Sequence, residues 1–190
     1  MNKAEAKRHV VIEKTADHLL SHGIKEATLR KLAAAVGMSD RMLMHYFTDK
    51  EELVRSSLNL LTARLVGLLE SARTEQMPFQ KFLPYLSEMM KHPQVRPYLR
   101  LSLELAALSA EGVESYNIIA RKICKDFLGW IASALQVERE EDRMPMAALA
   151  FATTEGFMVL DALGSGSIIA GALEGIAYWS GIRNGTLVNK

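Results

Sequence analysis

Apolar side chains recur every three to four positions along almost the whole chain, the spacing of helices that bury one face. Val10, Val11, Ala16, Leu19 and Leu20 predict a first helix from about Lys3 to Ser21, and Gly23 stands where a left-handed cap would end it. Thr28 is placed to cap a second helix. Leu29, Leu32, Ala33 and Val36 give that helix its apolar face, and Gly37 stops it. Ser39 is placed to cap a short helix from Asp40 to about Phe47. Thr48 is placed to cap another, whose opening "DKEELV" puts acids in the first turn, where the helix dipole favours them. Leu53, Leu58, Leu61, Leu65, Leu68 and Leu69 carry this fourth helix without a breaker to about Arg73. Such a rod is roughly 36 Å long, enough to connect a small N-terminal unit to the rest of the chain.

The same period continues downstream. Phe79, Phe82, Leu83, Leu86, Met89 and Met90 mark a helix in which Pro84 is either a kink or a restart. Pro93 and Pro97 open another that runs to about Ala110, and Gly112 breaks the chain. Tyr116, Ile119, Ile123, Phe127, Trp130, Ile131 and Ala134 define the next. After the polar "VEREEDR", an apolar helix from about Pro145 to Leu163 and a last one from about Ile168 to Ser180 flank "GSGS". No strand alternation, internal repeat or low-complexity run interrupts this order, so the fold class is all-α.

Composition narrows the picture little: 190 residues, 49% hydrophobic and 24% charged, suit a folded domain or a small one joined to a larger. Charge sharpens it. Residues 1–50 hold nine Lys/Arg against six Asp/Glu, so they carry +3 of a net +1, together with four of the five histidines. This biases the N-terminal part toward an anionic partner, though a solvated charged surface gives the same count. A single cysteine, Cys124, excludes an internal disulfide and fits a reducing, cytoplasmic setting, and the N-terminus lacks the apolar core of a signal peptide. "MPMAALAFATTEGFMVLDALG" is long enough to span a membrane. Glu155, Asp161 and Thr153-Thr154 make that costly, so it reads as a buried or dimer-buried helix.

Helix, short helix, tight turn, short helix is the helix-turn-helix pattern. With 100° per residue, Leu43 and Phe47 can face a small core while Arg41 and His45 point about 160° away from it. Met42 and Met44 then lie to the two sides, Asp40 and Tyr46 lie near the flanks of the core, and Met38 packs beside the turn. An outward Arg and His have an ordinary reading, plain solvent exposure. In this motif they also have a chemical one. The second helix enters the major groove, Arg41 can reach guanine O6/N7, and His45 and Tyr46 can reach bases or phosphates. Thr28, Ser39 and Lys50, with Arg30, stand at or near three successive helix starts suited to phosphate. Capped starts at Thr28, Ser39 and Thr48, spaced eleven and nine residues apart, favour the chemical reading.

"ATLRKLAAAVGMSDRMLMHYFTDKEEL" resembles the DNA-binding signature of TetR-type transcriptional regulators (the TetR/AcrR family). Gly23, Thr28, Leu32-Ala33, Gly37, Ser39, Phe47, Lys50 and Leu53 carry the likeness, within residues 10–54. The resemblance implies about nine helices, with a three-helix DNA-binding domain at residues 1–50 and a helical ligand-binding and dimerisation domain at 51–190. It also implies a homodimer on a palindromic double-stranded operator, a small-molecule effector and repression as the default, activation being the variant. Its DNA-binding residues fall here on Thr28, Arg30, Ser39, Asp40, Arg41, Met42, Met44, His45, Tyr46 and Lys50. Two positions depart from the family pattern. An aromatic, most often Tyr, usually stands where Met44 does, and Met44 cannot donate a hydrogen bond. Lys or a small neutral residue often stands where Asp40 does; an acid there helps the helix dipole, repels phosphate and can accept from cytosine N4.

In the C-terminal part, Leu61, Leu65, Met89, Glu104, Phe127, Trp130 and Glu155 are candidate ligand-lining residues, with Glu104, Glu155 and Asp161 as acidic anchors for a polar or cationic ligand. The plainer reading is that such acids reach solvent or a buried hydrogen bond and that the large side chains are core. Gly171 and Gly175 form a G-x-x-x-G step and Gly156 interrupts the preceding helix, which fits close helix packing, plausibly across a dimer. No metal-ligand cluster, phosphate loop or nucleophile arrangement is legible, so an enzyme and a cofactor are not expected. A helical adaptor or ligand-binding protein without an operator is the remaining alternative.

Overall fold

The computed structural model describes residues 3–72 and 75–183, the last five of these as backbone only. Nine α-helices make up most of the described residues: α1 Lys3–His22, α2 Leu29–Val36, α3 Asp40–Leu43, α4 Lys50–Ser71, α5 Phe79–Lys91, α6 Arg96–Ala110, α7 Glu114–Ala134, α8 Arg143–Ala162 and α9 Gly166–Arg183. The all-α reading holds. The expected end of α4 near Arg73 lies outside the described residues.

Local chemistry sets the first boundaries. Gly23, at φ 89°, closes α1 with its N–H on the Leu19 carbonyl at 2.8 Å. Thr28 Oγ1 accepts from Lys31 N at 3.3 Å to start α2, and Ser39 Oγ accepts from Met42 N at 3.2 Å to start α3.

Three details differ from expectation. First, α3 stops at Leu43 rather than near Phe47. The Met44 N–H still reaches Asp40 O, but those of His45 and Tyr46 turn to Met42 O and Leu43 O, three residues back. That tighter winding brings Phe47 into the core. Second, Asp49 rather than Thr48 caps α4. Its carboxylate accepts from Glu52 N, and the Glu52 carboxylate reaches back to Thr48 N, both at 2.6 Å, a capping box displaced by one residue. Third, Met77–Pro78 (β1) pairs in parallel with Leu135–Gln136 (β2). Two residues are too few to show alternation in the sequence. Pro84 lies within α5 instead of restarting it.

The chain forms two compact units. The first, residues 1–71 and 93–125, contains α1 to α4, α6 and the first half of α7. There α1 packs along α4 and also meets α2 and α6, around a core that includes Val11, Leu19, Leu32, Leu43, Phe47, Leu53, Leu58 and Leu105. Truncating one such leucine to Ala costs about 2–5 kcal/mol. The second, residues 72–92 and 126–190, holds α5, α8, α9 and the strand pair, with Phe82, Leu83, Leu86, Trp130, Ile131, Phe157 and Met158 buried. The apolar run read as a possible span is α8, and among the described residues no helix is long and apolar enough to cross a membrane.

Candidate nucleic-acid interface

The short α3 is anchored on one side and open on the other. Leu43 is fully buried and Phe47 nearly so, while Arg41, Met42 and His45 are exposed, the division that the 100° geometry requires. Met38, Met44 and Tyr46 are half-buried and pack on the core of the first unit. Met44 thus has a packing role. The His45 and Tyr46 rings meet edge to face, with centroids 5.5 Å apart. Asp40 is exposed in the first turn of α3. Of the remaining candidates, Thr28, Arg30 and Ser39 are exposed, and the half-buried Lys50 holds its Nζ 3.7 Å from the Glu51 carboxylate.

Behind this edge lies a contact set that the sequence did not announce. Arg8 of α1 places its guanidinium 4.7 Å from the centre of the Phe47 ring. Its Nε donates to Tyr46 O at 3.3 Å and its Nη2 to Glu52 Oε1 at 2.7 Å. The Thr48 N–H, and then Arg8, hold the Glu52 carboxyl below the usual carboxylate range against an opposing effect of burial. One side chain therefore holds the exit from α3 and the entry to α4 together. No motif spacing reveals this, because the partners stand 38 and 44 residues from Arg8.

The proposed ligand-lining residues divide between the units. Leu61 is buried and Leu65 half-buried in the first. Glu104 is also there, and its carboxylate accepts the N–H groups of Ile24 at 2.9 Å and Lys25 at 2.6 Å. An acid whose two oxygens are taken by backbone donors follows the plainer expectation for embedded acids. In the second unit Phe127 and Trp130 come together at 5.1 Å between ring centroids, with Phe82 5.9 Å from Trp130 and Phe151 5.7 Å from Phe127. Met89 is half-buried. Glu155 is exposed on α8, yet the protein atoms packed around it raise its carboxyl above the usual range. Asp161 is half-buried. Among the described residues no three His, Cys, Asp or Glu side chains converge as metal ligands.

Residues 11–56 match the family described as bacterial regulatory proteins, tetR family. Over this segment the chain is similar to the TetR family. The matched segment includes the helices α2 and α3 and the turn between them. The transcriptional repressor AcnR of Corynebacterium diphtheriae is 27% identical over 103 residues, 54% of this chain and 50% of that protein. The chain spans about half the length of the curated relatives it matches. Over the whole fold, a TetR-family regulator from Rhodococcus sp. aligns with a TM-score of 0.67 at 20% identity, covering 90% of this chain and 98% of that one. The multidrug binding protein EbrR, solved with proflavin, aligns with a TM-score of 0.60 at 15% identity over 90% and 99%. These two likenesses are of fold.

Proposed function

We propose that this protein is a TetR-type, ligand-responsive transcriptional repressor that binds a palindromic operator as a homodimer and is released by a small molecule. The observation that carries the reading is the exposed edge of Arg41, Met42 and His45 along α3 and the tight turn that follows it, a segment whose other face is anchored by Leu43 and Phe47. An outward Arg at the start of such a helix suits guanine in the major groove, with Thr28, Arg30, Ser39, Tyr46 and Lys50 as backbone contacts and Asp40 and Met44 as modifiers. In functional terms the DNA-binding domain is residues 1–50, and residues 51–190 serve ligand binding and dimerisation. Repression takes support from the name of AcnR.

A second copy suits the outer faces of α8 and α9. Leu149, Val159, Leu163, Ile168 and Tyr178 are large apolar side chains left exposed there. A Cβ added at Gly156, Gly171 or Gly175 would meet nothing within 4 Å. Among the described residues nothing packs on these glycines, and their small size supports the close approach of a partner helix. For the effector, the cluster of Phe82, Phe127, Trp130 and Phe151 offers aromatic surface, and proflavin in EbrR supports a planar aromatic cation as its class.

The test is selection from a random duplex library. The expected winner is an inverted repeat whose half-site centres lie about one turn apart, roughly 34–36 Å. Proflavin added to that complex is the first effector probe, and it should displace the protein. A selection that converges on no sequence would overturn the reading.

A further inference from the structure

We propose that Arg100 and Glu104 of α6 are positioning residues for DNA reading, a two-point clamp that fixes the pitch of the helix-turn-helix and so the operator spacing the protein accepts. The inference rests on the two-headed reading above. One helical turn apart on α6, the two side chains flank the corner between α1 and α2. Arg100 Nη2 donates to Leu20 O at 2.8 Å and to Ser21 O at 3.0 Å. Both carbonyls belong to the last turn of α1, where four C=O groups have no partner within the helix and a cation is favoured. Four residues on, Glu104 accepts the next free donors of the same corner, the N–H groups of Ile24 and Lys25. Carbonyls of one sign and amides of the other are thus each met by the matching charge.

The fit at the corner is close. A Cβ on Gly23 would lie 2.5 Å from Glu104 Oε2, so the carboxylate occupies the space that the glycine leaves. Thr28, the cap of α2, follows only three residues after Lys25. Apolar contacts between α1 and α6 can slide. Four directional bonds to backbone atoms cannot, and they meet the chain just before the reading helices begin. The angle between α6 and the reading helices is therefore set at this corner.

The experiment compares wild type with Arg100→Met/Glu104→Gln on duplexes in which the selected half-site is inverted at spacings stepped by single base pairs. Hydrogen exchange at the Ile24 and Lys25 amides is followed in parallel. Wild type should show a narrow spacing optimum. In the variant the preference for the best spacing over its neighbours should fall about tenfold and the two amides should exchange about tenfold faster, with affinity for an isolated half-site unchanged. Glu104→Gln alone keeps the side-chain volume and one acceptor and should give an intermediate result. Faster exchange with an unchanged spacing profile would make the clamp structural only and overturn the proposal, as would unchanged exchange. A wild-type profile flat in spacing would instead sink the two-headed reading and the clamp with it.

Discussion

Arg8 stands 38 residues from Tyr46 and 44 from Glu52 in sequence, and it binds both. Arg8→Met keeps much of the side-chain volume and removes the charge and the hydrogen bonds. With over a third of the Arg8 side chain in solvent, the expected loss is about 1 kcal/mol by denaturant unfolding. The larger effect should fall on DNA affinity, because the α3 exit loses its tether. Glu52 gives the same network a pH signature. Its carboxyl is held below the usual carboxylate range in the fold, so the stabilisation is present above the unfolded value and is lost as pH falls through the folded one. Melting temperature followed from neutral pH into acid should drop once pH falls below the ordinary glutamate range, and Glu52→Gln should flatten that limb. An identical acid limb in the variant would remove Glu52 from the account. The exposed residues of the reading edge were legible from sequence, since angle alone separates Arg41 and His45 from Leu43 and Phe47. The residues that hold this edge were not, since Arg8 and Glu104 act on backbone atoms far along the chain.

Among the elements, those ended by local chemistry were legible and those ended by tertiary contacts were not. Thr28, Gly37 and Ser39 bound their helices through hydrogen bonds within a few residues, and each is readable from its own neighbourhood. The end of α3 depends on a tight winding secured by Arg8, and the β1–β2 pair joins segments almost 60 residues apart. The corner after α1 shows both cases. Gly23 reads as a cap, but its second duty, leaving room for Glu104, appears only in three dimensions. A double-mutant cycle separates the two. Gly23→Ala carries the strain of φ 89° in any background, whereas the close contact with the carboxylate vanishes in Glu104→Ala. The cost of Gly23→Ala in denaturant unfolding should therefore be smaller in the Glu104→Ala background, by about 1 kcal/mol. Equal costs would show that the carboxylate yields freely.

For the whole molecule, the proposed self-association would use the exposed faces of α8 and α9. Gly156→Leu adds bulk where nothing in the chain stands within 4 Å, so helicity and melting of the single chain should hold while self-association weakens at least about tenfold by sedimentation equilibrium. Undiminished association would move the interface elsewhere. Glu155 lies on this exposed side of α8, and packing already disfavours its charge. Burial against a partner would disfavour the charge further, so Glu155→Gln should tighten association at neutral pH. The central claim is that the Arg41 edge reads base sequence, and the most direct measurement is a fluorescence titration of a selected palindromic duplex and a scrambled one at fixed salt. Wild type should prefer the palindrome, and Arg41→Ala should lose about 1–3 kcal/mol on it with little change on the scrambled duplex. Wild-type protein that binds both duplexes equally would contradict the account.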